Sequence, residues 1–252
     1  MTLFAEPAAV ELSAVEFDVL GERLGIEEFP VVLRVPSPGR TAAERADVEA
    51  RAWDGLARRG LAEYPHVHPD LAAVLTTLAR PTSSVDVRVW GAVEVRALAA
   101  LTDGAAALAV LTRGAVTLRA IDDGLPRHAV SVLPPLAAGP GRSVTLPSAV
   151  FADAAPAPDL ATALRTRGLR PDDATRLAAM ITPLTARGQF GATRRDRYGK
   201  RHRHPRTVSF FDTAEGRYLQ LRTPNPDGDD WTTIAPADPR TLLHHVGELL
   251  EG

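Results

Sequence analysis

The chain has 252 residues, 45% hydrophobic and 24% charged, with a formal net charge of −2. That balance suits one large domain or two small ones with a sizeable core, and it excludes a global positive field that would draw the protein to nucleic acid or an anionic membrane. Cysteine is absent, which excludes disulfides, thiolate zinc sites and cysteine nucleophiles.

Met1 to Leu20 carries Glu6, Glu11, Glu16 and Asp18 and no basic residue, the reverse of a secretory leader. The most apolar stretch, Ala97 to Val110, is interrupted by Asp103 and Gly104 and is too short to span a bilayer. The expectation is a soluble, cytoplasmic protein. Lys200 is the only lysine, and with abundant Ala, Pro and Arg this composition suits a GC-rich actinobacterial genome.

Leu12, Val15, Val19 and Leu20 stand near helical spacing, although Glu11-Leu12-Ser13 could also open as a strand. Val31 to Val35 reads as a short strand stopped by Pro36 and Pro38. Thr41 with Glu44 three residues on is a capping box, so a helix is expected to run to Arg59 and end at Gly60. A second helix is expected from about Asp70 to just before Pro81. Strands are expected at Val85–Trp90, Val93–Leu98, Ala106–Leu111, Val116–Ile121 and Ala129–Leu133, joined by tight turns such as Thr112-Arg113-Gly114. Ala99 to Val110 is also compatible with a helix.

The Pro- and Gly-rich segment Pro134 to Pro147 reads as a boundary, after which the order repeats. Helices are expected at Pro158–Arg167 and Pro171–Arg187. Strands are expected at Phe190–Arg195, Arg206–Asp212, Arg217–Arg222 and Trp231–Ile234. A final amphipathic helix starts at Asp238 and carries Leu242, Leu243, Val246, Leu249 and Leu250. Local matches, such as Leu56 to Leu61 with Leu164 to Leu169 as Leu-x-x-Arg-Gly-Leu, predict a duplicated helix-helix-meander unit, with halves of about 1–138 and 139–252 in a single domain. The expected fold class is α+β: a central antiparallel sheet from two pseudo-repeated halves, flanked by helices.

Three ordered stretches carry a resemblance. They are Val32-Leu33-Arg34-Val35-Pro36-Ser37-Pro38-Gly39-Arg40-Thr41 with the helix through Trp53 to Leu61; Gly188-Gln189-Phe190-Gly191 with Asp196-Arg197-Tyr198-Gly199; and Ser209-Phe210-Phe211-Asp212-Thr213 through Gly216-Arg217-Tyr218 to Trp231–Asp238. Together they resemble the ESX secretion-associated EspG family over nearly the whole chain. The resemblance implies two related halves sharing a central antiparallel sheet. It also implies a chaperone that binds PE–PPE heterodimers at the helical tip of the PPE subunit, keeping them soluble and marked for one type VII (ESX) system. Another helical-hairpin substrate is an equally open cargo.

Period-2 alternation assigns candidate anchors for such a partner to the carboxy-terminal sheet: Gln189, Ser209, Phe211, Tyr218, Gln220, Arg222, Trp231 and Thr233. The alternative places these residues in the core, with helices over them. An exposed face of this kind would also give the free protein a route to weak homodimerisation. A second function class rests on Arg194 to Arg206, whose arginines and Tyr198 suit phosphates and bases, against a plain solvated hairpin turning at Asp196–Gly199. The neutral overall balance favours the hairpin.

No cofactor, metal or catalytic residue is expected. Gly-x-Ser-x-Gly is absent, and Gly139-Pro140-Gly141-Arg142-Ser143 lacks the lysine and spacing of a phosphate loop. Asp122-Asp123, Asp172-Asp173 and Asp229-Asp230 stand where acids cap turns and helices. His66 with His68, His202 with His204, and His244 with His245 each offer half a metal site, with no third ligand at the usual spacing.

Overall fold

The computed structural model describes residues 9–225 and 228–251; the acidic Glu6 and part of the polar loop 225–230 lie outside them. Strand β1 (Val10–Ser13) passes directly into helix α1 (Ala14–Arg23), so both readings of that segment hold in succession. Ser13 makes the switch: its Oγ accepts from the Glu16 amide (3.2 Å) while Glu16 Oε2 accepts from the Ser13 amide (2.8 Å). Thr41 and Glu44 form the same box for α2 (Ala42–Arg58), and Gly60 ends it at φ +67°.

Two segments read as strands are helical instead. Val31–Leu33 is a 3₁₀ turn, with the Leu33 amide donating back to the Pro30 carbonyl (2.8 Å). Prolines at 30 and 36 remove ladder amides on both sides, so burial of Val32 and Leu33 is achieved by a turn. Helix α4 (Leu125–Val130) replaces the strand expected at Ala129–Leu133; Pro126 sits in its first turn, where a missing amide costs nothing.

The expected meander follows the short hairpin β2 (Ala62–Glu63) with β3 (His66–Val67) and helix α3 (Pro69–Ala79). Its strands are β4 (Ser83–Trp90), β5 (Val95–Thr102), β6 (Ala105–Thr112) and β7 (Ala115–Ile121). Ala99 to Val110 is thus a hairpin turning at Asp103-Gly104.

The second half begins with β8 (Val144–Pro147), α5 (Ser148–Ala154), α6 (Leu160–Thr166) and α7 (Pro171–Ile181). Helix α7 stops short of the expected Arg187 because Pro183 forces Thr182 into extended backbone (φ −140°, ψ 128°). Strands β9 (Ala186–Arg195), β10 (Arg201–Arg203), β11 (Val208–Thr213), β12 (Gly216–Thr223) and β13 (Trp231–Pro236) precede the closing helix α8 (Pro239–Glu251).

The protein is α+β, with a large antiparallel sheet of eleven strands among the described residues. Its chain divides into two compact units, each drawing on discontinuous segments. The first comprises 1–88, 93–132 and 193–202, with strand order β1-β7-β6-β5-β4 and the end of β9. Its core joins Phe17, Leu20, Leu56, Leu71, Leu75 and Leu78 to sheet residues Leu98, Ala100, Ala107 and Ala109. The paired alanines Ala100 and Ala107 leave room for α3 to lie on β5 and β6. Trp53 belongs to this core, edge-on to Tyr64 at 5.3 Å between ring centroids.

The second unit comprises 89–92, 133–192 and 203–252, with order β9-β11-β12-β13-β8. Helices α5, α6 and α7 cover one sheet face through Phe151, Leu164, Leu177 and Met180 against Val144, Leu146, Tyr218 and Ile234. Helix α8 packs against β11. The segment after Val132 is tied down: the Arg217 amide donates to the Ala137 carbonyl (2.9 Å), and the Gly139 amide donates to the Arg217 carbonyl (3.1 Å).

Candidate partner-binding sheet face

Register decides which predicted anchors share a face, because directly paired residues on antiparallel strands point the same way. Ser209 pairs with Gln189 on one side and Gln220 on the other. Phe211 likewise stands between Arg187 and Tyr218. Gln189, Ser209, Phe211, Gln220 and Arg222 therefore line one face of the second unit. The first four are half-buried and Arg222 is exposed.

Three predicted anchors need correction. Tyr218 is on this face but only 1% exposed, inside the core that α5–α7 build over the sheet. Its hydroxyl donates to the Pro140 carbonyl (3.1 Å), which fixes the ring as packing. Trp231 pairs with Thr223, and Thr233 with Leu221, so both project from the opposite face. There Thr233 Oγ1 meets Thr145 Oγ1 at 2.9 Å, and Trp231 is 39% exposed. A strand shift of one residue is enough to reverse a side chain, and the loop before β13 hides that offset from sequence reading.

Two residues that the sequence reading passed over extend the first face. Arg187 lies in the row of Phe211, and its guanidinium sits 5.8 Å from the Trp90 ring centroid. Trp90 is 38% exposed and ends β4 within the same unit. The signal was present: Val85, Val87 and Val89 take the apolar side, which leaves Trp90 as a large apolar residue among Asp86 and Arg88 on the polar side.

Burial raises the Tyr218 phenol above its ordinary pKa, with the Glu215 charge adding to the effect. A raised folded-state value means that the stability linked to this group is complete below the free tyrosine range, about pH 10. It is lost as pH rises through the higher folded value. In a spectrophotometric titration, the tyrosinate signal removed by Tyr218→Phe should be one that develops above that range. A missing signal at or below pH ~10 would contradict the buried phenol.

The basic segment is a hairpin of β9 and β10 knotted by Asp196, which accepts from the Tyr198 (2.9 Å) and Lys200 (3.0 Å) amides and meets His202 Nε2 at 2.9 Å. The His202 contact is the first cause of a lowered Asp196 pKa. Arg195 is spent on the Pro81 and Gly199 carbonyls, and Arg197 stacks on Tyr198 at 4.8 Å.

Of the paired acids, Asp122 caps a turn as expected, whereas α7 has no side-chain cap and Asp173 and Asp230 are engaged in ion pairs instead. Asp122 also holds Arg127 and His128, contacts that keep its carboxyl well below the usual range. Asp173 pairs with Arg176, and Asp230 with Arg222. His244 and His245, however, do have a third polar neighbour: Glu248, with all three ligand atoms within 4.8 Å of one another. No helix of the described residues is long and apolar enough to cross a membrane.

Residues 13–248 match the EspG family profile. No match was found among curated proteins. Among solved structures, the chain is similar to the Mycobacterium tuberculosis type VII secretion system chaperone EspG5, solved in complex with a PE25–PPE41 dimer. The TM-score is 0.75 at 16% identity, over 97% of this chain and 96% of that one.

Proposed function

Starting from the fact that the chain belongs to the EspG family, we propose that it is a cytoplasmic chaperone of a type VII secretion system. It binds a PE–PPE-like substrate, keeps it soluble and presents it for export. The role is one of binding, without catalysis.

One observation supports the placement of the cargo: the row Gln189–Ser209–Gln220, half-buried beside the α5–α7 bundle. Three adjacent strands span about 10 Å, close to the width of one α-helix with its side chains. The row offers two amides and a hydroxyl, each able to donate and accept, so it suits the orphan backbone groups at a helix end. Phe211, Arg187 and Trp90 supply the aromatic and guanidinium contacts that dominate interface energetics.

The test is co-purification with a PE–PPE-like pair from the same genome. Gln189→Ala with Gln220→Ala and Arg222→Ala should leave the circular dichroism and melting temperature unchanged while weakening cargo binding by more than about tenfold, or ~1.4 kcal/mol. Wild-type affinity in that folded variant would remove this face as the docking site. Failure of the wild-type protein to bind any such pair would remove the chaperone reading itself.

A further inference from the structure

Helix α8 buries Leu242, Val246 and Leu249. His244 and Glu248 lie on the side turned away from them, and His245 stands at the edge of the buried stripe. Positions 244 and 248 are one turn apart, and 245 and 248 nearly so, which makes the glutamate a neighbour of both rings. Its two oxygens are divided between them: His245 Nδ1 lies 2.9 Å from Oε2 and His244 Nε2 lies 3.6 Å from Oε1. The rings themselves stand 5.1 Å apart at 55°, turned toward the shared carboxylate rather than splayed outward as adjacent helix positions normally are.

We propose that His244, His245 and Glu248 form a binding site for a divalent transition-metal ion, zinc being the best fit. Two imidazoles and a carboxylate are the donor set that zinc takes in open sites, at about 2.0–2.2 Å per bond. Ligand atoms within 4.8 Å of one another need only side-chain rotation to close on such an ion. Hard cations such as magnesium prefer all-oxygen sets and are poorly served here.

His244 is exposed, Glu248 is partly so, and His245 is less than a quarter exposed. An ion therefore has a path in and keeps at least one position for water or for a side chain of a bound protein. The Arg206 charge acts on Glu248 and opposes the ion, so affinity should fall short of a structural zinc site.

The test is calorimetric titration of the full tag-free chain with zinc chloride at pH 7.5, with magnesium chloride as the contrast. One zinc per chain in the micromolar range is expected, and no magnesium heat. His244→Ala and Glu248→Gln should each weaken binding by at least about tenfold. Replacing His202 and His204 by alanine should leave it unchanged, and circular dichroism should show every variant folded. Absence of zinc binding to the wild-type chain, or wild-type binding in the His244→Ala/His245→Ala double variant, would overturn the proposal.

Discussion

Asp212→Ala should destabilise the protein by about 3–5 kcal/mol, the range expected when one partner of a buried ion pair is removed. Asp212 and Arg217 are only 4% and 1% exposed. Arg217 Nε donates to Asp212 Oδ1 (2.7 Å) and Nη2 to Oδ2 (2.8 Å), while Nη2 also donates to the Pro134 carbonyl (3.3 Å) and the guanidinium covers the Phe210 ring at 5.1 Å. Removing the carboxylate leaves a guanidinium in the core with one carbonyl as a remaining partner.

The loss is one of uncompensated charge rather than of attraction between the partners, so a variant lacking both charges is the telling control. Asp212→Leu with Arg217→Met should recover most of the deficit. Equilibrium denaturation with urea measures both. A loss below about 1 kcal/mol in Asp212→Ala would place the pair among surface-like interactions and contradict its burial.

Gly216→Ala should be comparably damaging for a different reason. Gly216 opens β12 at φ +141°, a conformation that alanine adopts only under strain. A Cβ there would lie 2.5 Å from the Gly139 nitrogen, 2.6 Å from its Cα and 2.8 Å from the Ala137 carbonyl oxygen. All three are backbone atoms, so no rotamer change relieves the overlap. The 137–139 strap must lift off Arg217, breaking the two backbone hydrogen bonds that hold it. A cost above about 3 kcal/mol follows from overpacking and strain together. Protection of the Gly139 and Arg217 amides against hydrogen exchange should collapse in this variant before the rest of the unit is affected. Unchanged protection would show that the strap is held by other contacts.

The segments most legible in the sequence are those whose signal is local. The capping box of Thr41 and Glu44 defines α2 within one residue, and the alternation of Val85, Val87 and Val89 gives β4 and its apolar side. Where the outcome depended on a partner far along the chain, local pattern misled. Val31–Leu33 has strand composition, yet its burial against β5 is reached through a 3₁₀ turn between Pro30 and Pro36. Tyr218 alternates correctly with Leu219, but both faces of β12 are covered at that level, by α5–α7 on one side and beside Phe210 on the other. Alternation reports which side a residue takes, never whether something lies above it. Trp231 and Thr233 failed on register, which is set by pairing across a loop. Gln189, Ser209 and Gln220 could be placed together because each sits inside a strand whose phase is fixed by buried neighbours, Phe190, Phe210 and Leu219.

The interleaving of segments has a consequence for synthesis. Strand β4 is made early, and β9, which lies beside it in the sheet, is not complete until residue 195. The first unit also needs 193–202, which come from beyond the Pro- and Gly-rich segment. While the ribosome travels from the end of one strand to the end of the other, for about 5–20 s at ordinary elongation rates, β4 has an unpaired edge with buried-type valines beside it. A strand in that state pairs readily with whatever else is extended nearby. A protein of this architecture therefore carries an open sheet edge while it is still attached to the ribosome, and a cut at residue 132 would leave that edge without β9 permanently.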